Sequence, residues 1–206
     1  MKTEVESSKN TRWTMHDILT FVIFNLIIMI LITVAKVVED MVLAPQNTFF
    51  VGSWLFPLLA TPFYLVMADR IGKRGVLSGS ILIFGVLYTF MGGPYCAPVA
   101  IVGAVIGELV MWGKDSYHDI KRVIGGYIVY WVTFGFYGII PYVLFREAYM
   151  KQLETYYNAA NTAMIAQYTE LPWILLMMAL FAAGTIVGGL IGSKFLKKHV
   201  RKAKIA

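Results

Sequence analysis

The segment DRIGKRG at residues 69–75 sets Arg70, Lys73 and Arg74 between two apolar runs, Phe49–Ala68 and Val76–Met91. Four more apolar runs complete the pattern: Ile18–Val38, Ala97–Trp112, Val123–Phe145 and Pro172–Ser193. Basic residues precede the first run (Lys2, Lys9, Arg12), separate the fourth from the fifth (Lys114, Lys121, Arg122), and follow the sixth (Lys194, Lys197, Lys198, Arg201, Lys202, Lys204). Fifteen of the eighteen Lys and Arg residues therefore fall in alternate gaps, the exceptions being Lys36, Arg146 and Lys151. Positive charge is retained on the cytoplasmic side of a membrane, so such alternation reports both span number and orientation. The expectation is an all-α membrane protein, six transmembrane helices in one bundle with both termini cytoplasmic. Residues 1–14 and 197–206 read as cytoplasmic tails, and 15–196 as the membrane domain.

Composition agrees. A mean hydropathy of +0.67 and 58% apolar residues exceed what a soluble domain carries. The longest polar stretch outside the core, Arg146–Leu171, has 26 residues and leaves no room for a soluble catalytic domain. The net charge of +6 is spread over short membrane-facing loops, where anionic headgroups rather than nucleic acid account for it. One cysteine, Cys96, excludes an internal disulfide and any multi-cysteine metal site. The first run spans about 20 residues without a small-residue cleavage site, so it reads as a retained helix rather than a signal peptide.

The third and fourth runs have 16 residues each, short of the about 20 needed to cross. The turn Gly92-Gly93-Pro94-Tyr95-Cys96-Ala97-Pro98 joins them. Either they form a short crossing hairpin that leaves a depression on the outer face, or they re-enter without crossing. Between the fifth and sixth runs, Tyr149, Leu153, Tyr156, Ala160 and Met164 recur at helical spacing, which predicts an amphipathic external helix. It either lies as a lid or extends the fifth span, with Pro141 offering a bend.

No H-E-x-x-H, G-x-S-x-G or P-loop motif is present, so neither an enzyme nor a resident cofactor is expected. His16, His118 and His199 fall in separate basic segments, where interfacial roles suit them better than a metal site. Ionisable groups inside spans are candidates by default. Glu108 reads either as an inter-helix hydrogen bond, with Arg122 or Arg70 as partner, or as a contact with a partner subunit. Lys36, followed by Glu39 and Asp40, reads either as a snorkelling lysine beside acids or as the partner of an anionic ligand. Aromatic residues crowd the outer helix ends, and Trp54, Tyr88, Tyr95, Tyr142 and Tyr149 with Lys36 and Arg146 make a candidate outer site for a flat, partly anionic ligand. Gly184, Gly188 and Gly192 lie four apart on the sixth span, and Gly103 and Gly107 on the fourth. Such small-residue faces serve either internal packing or docking to another membrane subunit.

The turn Gly92-Gly93-Pro94-Tyr95, the run Gly107-Glu108-Leu109 and the tail Lys197-Lys198-His199-Val200-Arg201-Lys202-Ala203 carry a resemblance that extends from Met15 to Lys204. The chain resembles the substrate-binding S components of energy-coupling factor (ECF) transporters, and more closely the Trep_Strep family. That resemblance implies a receptor in a bacterial plasma membrane that captures a scarce nutrient outside. It then hands the nutrient on through a transmembrane coupling subunit driven by two cytoplasmic ATPases. Many S components carry an A-x-x-x-A docking pattern in the first helix; this chain has none between Thr20 and Ile30. Gly184, Gly188 and Gly192, with Glu108, are the expected docking residues in its place. Members resembling this family are associated with haem uptake, so haem is the first expected ligand, and a vitamin or corrinoid the next. Its iron would take a donor from Tyr88, Tyr95, Cys96, Tyr142 or Tyr149, and its propionates would pair with Lys36 or Arg146. A stand-alone secondary transporter and a ligand-free assembly protein are the alternatives.

Overall fold

A computed structural model describes residues 12–43, 45–92, 94–113, 115–156, 162–163 and 166–201. Among these, every regular element is helical: α1 (Met15–Val42), α2 (Pro45–Ile71), α3 (Val76–Gly92), α4 (Cys96–Val110), α5 (Ile120–Leu144), α6 (Arg146–Tyr156) and α7 (Leu171–Phe195), with a 3-10 turn at Ser116–His118 and a π-helical turn at Leu196–Arg201. All six apolar runs are helices. Four of them are long and apolar enough to cross a membrane. The other two, α3 and α4, have 17 and 15 residues, or roughly 25 and 22 Å at 1.5 Å per residue. Both fall short of a hydrocarbon core of about 30 Å.

The external helix expected after the fifth run is present as α6, with Leu153 buried on its inner face. Ala160, Met164 and Gly93 of the tight turn lie outside the described residues, as do the ends of both tails. Pro141 does not end α5, which continues to Leu144. The break falls at Phe145, whose φ of −136° and ψ of 42° leave the helical region.

α7 packs along α2, and the three-glycine stripe makes that contact. A Cβ on Gly184 would stand 2.2 Å from the Trp54 carbonyl oxygen, one on Gly188 2.6 Å from that of Leu58, and one on Gly192 2.7 Å from the Pro62 Cα. No side chain fits there. The docking role expected of Gly184, Gly188 and Gly192 is therefore corrected: the face is consumed inside the bundle, by backbone. Close approach recurs in the second half of the hairpin, where a Cβ on Gly85 would meet that of Ala100 at 2.1 Å and one on Gly103 the Thr133 hydroxyl at 2.3 Å. These contacts join α3 to α4 and α4 to α5. Between them lies an aromatic core in which Tyr64 stacks on Tyr127 at 3.9 Å around a fully buried Trp131.

The basic segments gather at one end. Thr14 caps α1 reciprocally with Asp17, and Lys73 from the α2–α3 loop donates to both the Asp17 carboxylate (2.5 Å) and the Arg12 carbonyl (2.7 Å). Trp13 Nε1 donates to the Arg74 carbonyl at 3.0 Å. The Arg74 guanidinium lies 4.9 Å from the Trp112 ring centroid, and Arg122 donates to the Trp112 carbonyl. Gly72, at a φ of +62°, turns the chain out of α2 where only glycine is comfortable. α1 is held mainly at this end and along α2, and only 17% of its most apolar window is buried.

Gly188→Ala is expected to destabilise the bundle by about 1–3 kcal/mol, the range for overpacking. Gly125→Ala, where no atom lies within 4 Å of the new Cβ, is the neutral comparison. Thermal unfolding of both in one detergent checks this; equal midpoints would disprove the α2–α7 contact.

Candidate functional site

At the end opposite the basic loops, six helices and α6 line a half-open cavity of about 820 Å3. The C-terminal part of α1 contributes Thr33, Lys36, Glu39 and Asp40, and the first half of α2 contributes Gly52, Ser53 and Phe56. Tyr88 near the end of α3 and Cys96 at the start of α4 reach it from the hairpin. α5 supplies Phe134 and Tyr137 with Gly135 and Gly138 between them, α6 supplies Tyr149, Gln152 and Leu153, and α7 supplies Met177 and Phe181. Six aromatic side chains stand in the wall; Tyr88 lies 5.2 Å from Phe134 and 5.5 Å from Tyr137, centroid to centroid. That volume is in the range of small-molecule sites, roughly 300–1,000 Å3.

Four of the expected ligand-site residues, Lys36, Tyr88, Cys96 and Tyr149, line this cavity. Four do not, and their placement is corrected. Trp54 points to the bundle exterior, 42% exposed, while its carbonyl abuts Gly184. Tyr95 stacks on Phe145 at 4.7 Å. The Arg146 guanidinium lies over the Tyr142 ring at 5.0 Å, a pair held away from the cavity wall. Lys36 is also engaged: its ammonium donates to Asp40 and stands 3.8 Å from Glu39. The role expected of it toward an anionic ligand is taken by two carboxylates of its own helix.

Sequence reading passed over Glu39, Phe134, Tyr137, Met177 and Phe181 as site residues. For α5 a signal exists in Phe134-Gly135-Phe136-Tyr137-Gly138, where Gly135 admits the Phe181 ring and Gly138 leaves room beside the Tyr149 hydroxyl. For Glu39 the signal was its burial, which a sequence does not display. No group of three or more metal-ligating His, Cys, Asp or Glu side chains converges among the described residues. His118 lies at the basic end, 3.4 Å from Asp69.

Glu108 also belongs to the basic end. One of its oxygens accepts from the Gly75 amide (3.0 Å), the Ser78 hydroxyl (3.0 Å) and the Tyr117 hydroxyl (2.9 Å). Of its two readings, the inter-helix bond is the one observed, with these three donors in place of Arg70 or Arg122; the docking role assigned to it is corrected accordingly. Burial, and then the adjacent Glu108 charge, push the Tyr117 phenol well up, which keeps it a donor. Glu108 braces α4 against the start of α3 and the loop that follows α4.

A family described as hypothetical bacterial integral membrane protein (Trep_Strep) matches residues 15–202. No curated protein matches the chain, and no solved structure does.

Glu108→Ala would strand three donors and is expected to lower stability by about 2–3 kcal/mol, whereas Tyr117→Phe should lower it by about 1 kcal/mol. Thermal unfolding measures both. A smaller loss for Glu108→Ala than for Tyr117→Phe would show that the brace is not centred on Glu108.

Proposed function

The chain belongs to the Trep_Strep family of bacterial integral membrane proteins, and we propose that it serves as the membrane-embedded substrate-binding subunit of an ECF-type nutrient importer. The observation that carries this reading is the half-open cavity of about 820 Å3 at the end away from the basic loops. With the basic end cytoplasmic, as retained positive charge favours, that cavity lies in the outer half, where a nutrient arrives. In this reading α1 to α5 and α7 are the six spans, both termini are cytoplasmic, and α3 and α4 cross as a short hairpin. Tyr88 and Cys96 then sit at the depth where the hairpin stops short. The resemblance supplies the partners, a transmembrane coupling subunit and two ATPases. It agrees with a chain in which no nucleotide-binding motif is found.

Binding without pumping is the expected behaviour of the chain alone. Proteoliposomes should retain ligand without accumulating it, and affinity purification from native membranes should recover two ATPases and one further membrane protein. Uphill uptake driven by an ion gradient would replace this reading with a secondary transporter. For orientation, a cysteine at Lys121, in a Cys96→Ala background, should resist an impermeant maleimide added outside, and one at Glu147 should react. Both positions are exposed, so equal labelling would overturn the six-span topology.

A further inference from the structure

We infer that the cavity receives an organic cation, whose protonated nitrogen pairs with Glu39 while its body lies against the aromatic wall. The inference rests on the capture reading above and names the ligand class for that same cavity. Glu39 is 4% exposed, and neither carboxylate oxygen receives a hydrogen bond among the described residues. The Gly52 backbone stands beside it, since a Cβ there would be 3.2 Å from Oε1, and its amide gives the carboxylate only a weak contact short of hydrogen-bond geometry. Its nearest cation, Lys36 Nζ, is 3.8 Å away, beyond hydrogen-bonding distance, and that ammonium donates to Asp40 instead. A buried carboxylate left in this state is strongly destabilised unless a donor reaches it.

Charge and wall chemistry favour the same occupant. The acidic and basic side chains lining the cavity are Lys36, Glu39 and Asp40, one base against two acids, a formal net charge of −1. Phe56, Phe134, Tyr137 and Phe181 present rings to the same space, and ring faces attract cations. An anion such as a haem propionate would meet two carboxylates beside a lysine that Asp40 already engages. A cation meets one carboxylate in need of a donor. The Lys36 side chain, 45% exposed, already leans to Asp40 and can yield the Glu39 side to a ligand without losing its partner.

The full chain in detergent, tested with tryptamine, indole-3-acetate and haemin as cationic and anionic probes, decides the matter by equilibrium dialysis. Tryptamine should bind about tenfold or more tightly than indole-3-acetate, the scale of one charge-assisted contact. Glu39→Gln should abolish that preference, and Lys36→Met should keep it. If Glu39→Gln fails to fold, competition on the unaltered chain replaces it: indole-3-acetate should not displace tryptamine at equal concentration. Tighter binding of either anionic probe, an unchanged preference in Glu39→Gln, or no binding of any probe at about 1 mM overturns the inference. None of these touches the capture reading, which stands or falls on recovery of the ATPases and coupling subunit.

Discussion

The backbone contact between α2 and α7 is the constraint around which the bundle is arranged. Lipid gives helices no hydrophobic reason to associate, so close packing and satisfied polar groups must hold them. α2 carries Pro57 and Pro62 within its length, and a proline cannot donate to the carbonyl four residues earlier. The carbonyl that Pro62 leaves without its helical donor is that of Leu58, and Gly188 packs directly against it. A glycine there brings Cα–H groups within reach of that oxygen, a weak but recurrent helix–helix contact. The prolines of one helix and the glycines of the other are therefore a matched set. They also fix where the outer end of α2 lies, and with it Gly52, Ser53 and Phe56 of the cavity wall.

Polar groups are treated differently at the two ends. At the basic end, Asp17 and Glu108 are each met by several donors, and Lys73, Trp13 and Arg122 bind backbone carbonyls across loops. Such bonds tie α1 to the α2–α3 loop and α3 to the end of α4. At the cavity end, Lys36, Glu39 and Asp40 share one helix face and leave Glu39 short of a donor. One end is braced and the other is held in a state that a ligand can improve.

Helix number and the grouping of the loops were legible in the sequence because the energy of moving Lys and Arg into hydrocarbon dominates every competing term. The placement of Tyr88, Cys96 and Tyr149 at the end away from the basic loops followed from the same alternation. Which face of each helix turns inward was not legible where the apolar pattern runs all round, as in α2 and α7. Trp54 illustrates this: it lies two residues from Gly52, about 200° around the helix, so a residue of the right depth points away. The glycine stripe was legible as a close-contact surface, but that its partner is α2 rather than another subunit is a feature of the assembled bundle. For Lys36, the sequence shows two acids nearby but not that helical spacing delivers Asp40 to its ammonium while Glu39 turns inward.

The short hairpin explains why a cavity exists at all. α3 and α4 are bound to each other and to α5 by contacts at Gly85, Ala100, Gly103 and Thr133, so neither can slide outward to fill the space beyond its end. The rings of α5 do not fill it either, because Gly135 and Gly138 interrupt them. What remains is closed on one side by α6, which begins at the Phe145 break and sends Tyr149 and Leu153 into the wall. A Cβ on Gly138 would stand 3.8 Å from the Tyr149 hydroxyl, ordinary contact with room for both. α6 is linked to α5 through one non-helical residue and packs on the bundle through few buried side chains, chiefly Leu153. Its place in the wall therefore does not depend on the α2–α7 contact, which lies on other helices.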